Sequence, residues 1–233
     1  MLSFLLVPLY TTDGVLSSVA EYGEVSVIFS YFVLFNVILA YGMETAFFRF
    51  FNKEDDKNSV TSTATISLVI SSIGFFILGF LFKNEISNLI DIDVKYIKLV
   101  IWILLLDALV IIPFAWLRAN EKPMRYAVIK IFNVVINIGL NLFFLLALKG
   151  LASNNSLFES IYISNFEINY IFIANLIASG ITLLLMFPFY IKIKYKFDKA
   201  LWKHMIKYAT PVLIAGIAFS INETFDRILL DYL

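Results

Sequence analysis

Long apolar runs, separated by short polar stretches, dominate the chain. Five of them are uninterrupted and long enough to cross a membrane, at about 25–48, 60–82, 97–117, 126–148 and 169–191. A transmembrane helix needs about 20 mostly apolar residues, so each run predicts one membrane-spanning helix. Two shorter apolar segments, Met1–Tyr10 and the one that starts at Tyr208, frame these five. We expect the first to end a helix that begins upstream and the second to start a helix that continues past Leu233.

The composition supports a protein that resides in lipid. Hydrophobic residues make up 61% of the 233 residues and charged residues 15%, with a mean hydropathy of +0.86, whereas soluble domains carry about 25% charged residues. The formal net charge is zero, which gives no reason to expect nucleic-acid binding. Without any cysteine, the chain has no disulfide, zinc–thiolate site or cysteine nucleophile. The prediction is an all-α, polytopic transmembrane helix bundle.

The distribution of basic residues predicts the orientation of this bundle. Counted along the chain, the even-numbered loops and their flanks carry 13 Lys and Arg residues, and the odd-numbered loops carry 4. Basic residues near short loops stay on the cytoplasmic side. We therefore expect the even-numbered loops to be cytoplasmic.

The predicted organisation has three parts. Residues 1–191 form an amino-terminal transmembrane bundle, residues 192–207 a basic cytoplasmic linker, and residues 208–233 the start of a second bundle. In the linker, apolar Leu201, Trp202, Met205 and Ile206 share one helical face, and Lys199, Lys203 and Lys207 another. This pattern fits an amphipathic helix on the anionic leaflet and equally a solvated linker.

Asp107 lies in the middle of an apolar run, in the sequence IWILLLDALVIIPFAWL. A charged residue at mid-bilayer costs about 2.5–3.5 kcal/mol on insertion scales, and such residues face a bundle interior or a cavity. Asp107 is therefore a candidate proton or cation site, with an interhelical hydrogen bond as the structural alternative.

Three asparagines, Asn133, Asn137 and Asn141, repeat every four residues in the next run, and Lys130 precedes them by about one turn. This spacing places the amides on one helical face. They either join helices by hydrogen bonds, each worth about 0.6 kcal/mol on average, or line a polar path.

Further charged residues lie at the ends of two apolar segments. Glu44 and Arg49 are five residues apart, about 140° around a helix, so each should have a different partner. Arg49 is expected to extend to the membrane interface or to line a cavity, and Glu44 to be buried against another helix or a cavity. Near the end of the chain, the spacing places two further pairs on single helical faces: Glu223 with Arg227, and Asn222 with Asp226. These residues either pair with each other, as an ion pair for Glu223 and Arg227, or line a cavity.

Four segments carry a resemblance to a known family. The segment YGEVSVIFSYFVLFNVILAYGMETAFFRFF (Tyr22–Phe51) resembles the Wzx-like oligosaccharide flippases of bacterial polysaccharide biosynthesis, in the multidrug, oligosaccharidyl-lipid and polysaccharide exporter superfamily. Leu5–Thr11, Trp116–Leu142 and Lys199–Leu230 agree in order and spacing. The resemblance implies a fold of two six-helix bundles around a central cavity, of which this chain contains helices one to six and the start of helix seven.

The resemblance also implies a function and roles for the polar residues. The family moves an undecaprenyl-pyrophosphate-linked oligosaccharide across the bacterial cytoplasmic membrane, without catalysis and without a cofactor other than a possible coupling Na⁺ or H⁺. Cations would contact the pyrophosphate: Arg49, Lys130 and Arg227. Amides would contact sugar hydroxyls: Asn133, Asn137 and Asn141. Acidic residues would bind the coupling ion or proton: Glu44, Asp107, Glu223 and Asp226. Membrane lipid and other polysaccharide-assembly proteins would be its partners, with no role for nucleic acid.

Two other functions remain open from the sequence. A cation-coupled multidrug exporter of the same superfamily would have an acidic and aromatic cavity, whereas a pyrophosphate site needs basic residues. An integral-membrane transferase would need a constellation of His or Asp residues, and the chain has a single histidine, His204. No nucleotide-binding P-loop, G-x-S-x-G or H-E-x-x-H motif occurs in the sequence, so it gives no support to an ATP-driven pump or to these classes of hydrolase.

Overall fold

The computed structural model describes residue 10 and residues 19–153, 156–160 and 162–231, excluding the side chains of 19–21, 156–157 and 224–231. Within these residues all regular structure is helical, as predicted. The helices are α1 (Val19–Ala40), α2 (Met43–Lys53), α3 (Lys57–Leu81), α4 (Lys83–Ile90), α5 (Val94–Ala119), α6 (Pro123–Leu142), α7 (Leu148–Ala152), α8 (Ser156–Glu159), α9 (Glu167–Lys192) and α10 (Lys199–Asp231). One π-helical turn, Phe143–Ala147, joins α6 to α7.

In the part of the chain that the structure describes, six helical segments are long and apolar enough to cross a membrane. They are Tyr22–Lys53, Lys57–Leu81, Val94–Ala119, Pro123–Ala152, Glu167–Lys192 and Lys199–Glu223. The first five coincide with the five predicted runs, and the sixth includes the apolar segment that starts at Tyr208. The protein is therefore a multi-pass membrane protein, and the predicted all-α transmembrane bundle is confirmed.

The first of these spans is broken in the middle. Tyr41 and Gly42 have φ angles of 33° and 70°, which end α1 and start α2 within a single span. Gly42 tolerates this left-handed conformation because it has no Cβ, whereas a tyrosine rarely adopts it. Broken helices occur at membrane depth where the backbone is buried in protein or lines a cavity. The periodic pattern of the sequence did not predict this break.

Helix α5 lies at the centre of the bundle. It packs against α1, α3 and α9, and its buried side chains include Ile103, Leu104 and Ala108. Helix α6 lies at the periphery, with many apolar side chains exposed. An apolar exposed surface is expected where helices face lipid.

The segment between α9 and α10 is held on α3 by hydrogen bonds. The side-chain amide of Asn58 donates to the carbonyl oxygen of Lys194 at 2.9 Å, and the backbone N–H of Lys196 donates to Ser62 Oγ at 2.6 Å. Residues 193–198, which have no regular secondary structure, therefore follow the amino-terminal half of α3.

The predicted linker 192–207 is divided between three elements. Its first residue ends α9, residues 193–198 have no regular secondary structure, and residues 199–207 are the first turns of the long helix α10. Met205 is fully buried, and its apolar neighbours pack against the same core, while Lys199, Lys203 and Lys207 are exposed. The apolar face of residues 199–207 therefore contacts the bundle and the lysines face outward, while the assignment of 192–207 as a cytoplasmic linker stays a prediction.

Candidate functional site

A polar cavity of about 400 Å³ lies among α1, α2, α5, α6 and α9. Its polar and charged lining residues come from all five helices: Asn36, Glu44, Asp107, Arg118, Tyr126, Lys130, Asn133, Asn175, Ser179 and Thr182. A second cavity of about 260 Å³, among α1, α3, α4 and α5, has an almost entirely apolar lining. The polar cavity is therefore the candidate site, because it collects the hydrogen-bonding and charged groups that lipid cannot solvate.

Asp107 lies at the middle of α5 and faces this cavity. The buried hydroxyl of Ser179, on α9, donates a 2.7 Å hydrogen bond to Asp107 Oδ1. Asp107 therefore makes the interhelical hydrogen bond of the structural alternative and also lines the cavity, and its role as a proton or cation site stays a prediction.

Helix α6 contributes Lys130 and Asn133 to the lining. The amide of Asn133 donates to Thr182 Oγ1 on α9 at 2.9 Å. The ammonium nitrogen of Lys130 lies 4.5 Å from the centroid of the Phe114 ring, a cation–π contact. One member of the predicted asparagine stripe thus joins two helices at the edge of the cavity.

Glu44 and Arg118 form an ion pair at another part of the lining. The guanidinium carbon of Arg118 also lies 4.9 Å from the centroid of the Phe48 ring and 5.0 Å from that of Tyr126. Arg118 is thus held between two aromatic rings while its charge is compensated by Glu44. This partner explains why Glu44 needs no contact with Arg49.

The four charged residues of the cavity lining differ in whether they form an ion pair. Glu44 and Arg118 neutralise each other, whereas neither Asp107 nor Lys130 forms an ion pair among the described residues. The lining therefore offers one carboxylate and one ammonium group without an ion-pair partner among the described residues, together with amides and hydroxyls. Such a set can bind a polyhydroxylated ligand through hydrogen bonds and an anionic group through Lys130.

Other predicted site residues lie outside the cavity lining. Arg49 is exposed, and its guanidinium carbon lies 4.3 Å from the centroid of the Tyr208 ring on α10. Asn141 is buried, accepts a 3.0 Å hydrogen bond from the hydroxyl of Tyr10 and donates to Asn137. Asn141 therefore joins α6 to Tyr10, whereas its bond to Asn137 lies within α6.

The remaining predicted residues are on the last helix. Glu223 is exposed and does not line the polar cavity. The side chains of Asp226 and Arg227 lie outside the described residues, so the predicted pairing of Glu223 with Arg227 stays a prediction.

Sequence reasoning missed several lining residues. Asn175, Ser179 and Thr182 are spaced i, i+4 and i+7, which places them on one face of an apolar helix. This is the same kind of signal that identified the asparagine stripe. From the sequence, Arg118 served only to predict the orientation of the bundle. A basic residue at the end of a membrane-spanning helix is already explained by that role, so it does not indicate a cavity residue.

The chemistry that the cavity lining supports is reversible binding of a polar, anionic group, because its donors are amides, hydroxyls and the ammonium group of Lys130. The described residues contain no cluster of three or more His, Asp or Glu side chains able to bind a metal ion.

Comparison with known proteins identifies one family. A family model described as polysaccharide biosynthesis protein matches residues 1–233, the full length of the chain. The curated proteins gave no match, and neither did the solved structures.

Proposed function

Because the chain belongs to the polysaccharide biosynthesis protein family, we propose that it transports a lipid-linked oligosaccharide across the bacterial cytoplasmic membrane. The substrate is an oligosaccharide on undecaprenyl pyrophosphate, and transport is not enzymatic. The observation that carries this proposal is the polar cavity inside a bundle of membrane-spanning helices. A head group made of sugars and phosphates needs such a path, because hydrocarbon offers it no hydrogen bonds.

The cavity residues have distinct roles in this proposal. Lys130 contacts the pyrophosphate, since it is the lining cation without an acidic partner among the described residues. Asn36, Asn133 and Asn175 hydrogen-bond sugar hydroxyls, and Asp107 takes up the coupling Na⁺ or H⁺. Transport proceeds by alternating access, in which helical bundles rock around the site.

The proposed orientation follows the basic residues. The even-numbered loops, including the segment 193–198 with its flanking lysines, face the cytoplasm. The substrate then enters from the cytoplasmic side, where other polysaccharide-assembly proteins would deliver it.

The composition of the cavity favours this substrate over a cationic drug. A multidrug site would have acidic groups available to a cation, whereas here one of the two acidic lining residues, Glu44, is already paired with Arg118 and only Asp107 of this lining remains. The ammonium group of Lys130, which has no ion-pair partner among the described residues, can attract an anion.

The experiment is export by full-length protein in a bacterial strain that lacks its own copy of the gene. We expect Lys130→Ala to reduce surface polysaccharide at least tenfold and to cause accumulation of the lipid-linked precursor. Lys130→Arg should retain part of the export, since it keeps the charge. Lys98→Ala is the matched control, because this exposed lysine lies outside the cavity lining. Normal export by Lys130→Ala, at equal protein level, would show that the proposed phosphate contact is wrong.

A further inference from the structure

Helix α2 is a short half-helix that links the polar cavity to α10. It begins at the break formed by Tyr41 and Gly42, where Ala40 on one side and Glu44 on the other both line the cavity. Positive φ angles at two successive residues, one of them a tyrosine, are a strained arrangement that persists only when the surroundings hold it. Such positions commonly mark a place where a helix bends.

Hydrogen bonds to one residue of α3, Ser67, hold the break between α1 and α2 in place. The hydroxyl of Tyr41 lies 2.8 Å from Ser67 Oγ, and the indole N–H of Trp202 on α10 donates to the same oxygen at 2.8 Å. One serine hydroxyl therefore joins the break, α3 and the start of α10.

Helix α10 also contacts α2 directly at two levels. A Cβ atom on Gly42 would lie 2.5 Å from the carbonyl oxygen of Ala209, so the two backbones are as close as a glycine permits. Further along α2, the guanidinium of Arg49 lies over the ring of Tyr208 at 4.3 Å, and the Phe50 ring meets that ring edge-on at 6.4 Å. Arg49, which does not line the cavity, thus fixes α2 to α10.

The face of α2 towards the cavity carries Glu44, which neutralises Arg118 on α5. The same half-helix therefore contacts α10 on one side and controls the charge of a cavity cation on the other. The side chains of Arg118 and Glu44 are 35% and 38% exposed, so this ion pair is accessible enough to open without the burial of an isolated charge.

We propose that α10 controls the number of free cations in the cavity by setting the position of α2. When α10 moves relative to α3, the bond between Trp202 and Ser67 breaks, α2 turns about Tyr41 and Gly42, and Glu44 leaves Arg118. Arg118 then joins Lys130 as a second free cation, and the site binds a pyrophosphate or diphosphate group more tightly. Ser67, Trp202 and Arg49 are positioning residues in this device. The ligand assignment rests on the proposed function, whereas the movement of α2 does not.

The movement can be measured by distances between spin labels, because the chain has no native cysteine. The first label pair is Thr45→Cys on α2 and Met124→Cys on α6, both at exposed positions. The control pair is Ile70→Cys on α3 and Leu184→Cys on α9, also exposed. We expect Trp202→Phe, which keeps a ring and loses the N–H donor, to shift or broaden the first distance distribution by several ångströms and to leave the control pair unchanged. An unchanged first pair would overturn the movement of α2.

A binding measurement tests the charge control separately. Inorganic pyrophosphate is titrated into the full-length protein in nanodiscs. We expect Glu44→Gln, which releases Arg118, to bind pyrophosphate several-fold more tightly than the unsubstituted protein, and the added Arg118→Gln substitution to remove that gain. Equal affinities would overturn the release of Arg118. Shifted label distances combined with normal export by Lys130→Ala would refute the proposed phosphate contact of Lys130 while leaving the movement of α2 supported.

Discussion

Replacement of Gly42 by alanine should destabilise the protein for two reasons that the backbone dictates. Gly42 has a φ angle of 70°, and a residue with a Cβ in this left-handed conformation costs about 1–2 kcal/mol. The new Cβ would also lie 2.5 Å from the carbonyl oxygen of Ala209 and 3.0 Å from Val212 Cβ. Because the first of these atoms belongs to the backbone, it cannot rotate away, and α10 must shift.

The expected magnitude combines these two effects. Overpacking of a well-packed contact costs about 1–3 kcal/mol, so Gly42→Ala should lower the free energy of unfolding by about 2–5 kcal/mol. Gly74→Ala is a matched control within α3, because a Cβ added there would have no atom within 4 Å and its φ is ordinary. In a helix interior, alanine is favoured over glycine by about 0.5–1 kcal/mol. The two substitutions should therefore change stability in opposite directions.

Unfolding in mixed micelles with increasing dodecyl sulfate, followed by far-ultraviolet circular dichroism, measures both variants. We expect a lower transition midpoint for Gly42→Ala and an equal or higher midpoint for Gly74→Ala. A midpoint for Gly42→Ala at or above that of the unsubstituted protein would refute the close approach of α2 and α10.

The same unfolding measurement tests two pairs of contacting residues and one buried asparagine. A double-mutant cycle with Glu44→Gln and Arg118→Gln should give a coupling energy of about 1 kcal/mol, because the strength of a half-exposed ion pair is intermediate between those of surface and buried pairs. Additive effects of the two substitutions would contradict the ion pair. Ser179→Ala should cost about 1.5–3 kcal/mol, because it removes a hydrogen bond to a charged group, and the loss should be smaller in an Asp107→Asn background. Asn141→Ala, which leaves a buried tyrosine hydroxyl without its acceptor, should cost about 1–3 kcal/mol, and an unchanged midpoint would show that this hydroxyl finds another partner.

The spans could be predicted from the sequence because each one is an apolar run of about the bilayer thickness, bounded by charges. The break at Tyr41 and Gly42 could not, since Ala40, Tyr41 and Gly42 continue the apolar run and a single glycine inside a helical pattern is often tolerated. The strain at Tyr41 depends on contacts with α3 and α10, which are distant in sequence. Local pattern therefore identified the span but not its division into two helices.

Two residues that the sequence marks as site candidates lie in the cavity lining, and their roles there stay predictions. Asp107 and Lys130 both line the cavity, and each lay inside an apolar run or next to a polar stripe. Helical spacing shows which residues share one face of a helix, but it does not show which part of the protein that face contacts. Asn133 therefore reaches the cavity edge while Asn141, two turns further along the same stripe, is buried against Tyr10.

The net charge of the cavity lining links substrate binding to cation uptake. Glu44 is paired with Arg118, and the charges of Asp107 and Lys130 cancel, so the lining is neutral overall. A neutral lining lowers the free-energy cost of placing charged residues at membrane depth. On the proposed function, a pyrophosphate that binds Lys130 adds negative charge and leaves Asp107 without compensation. Two events can restore the balance: a proton or Na⁺ at Asp107, or the withdrawal of Glu44 from Arg118. Because both events add positive charge to the lining, each should favour substrate binding, and the substitution Asp107→Asn should weaken the dependence of export on the cation gradient.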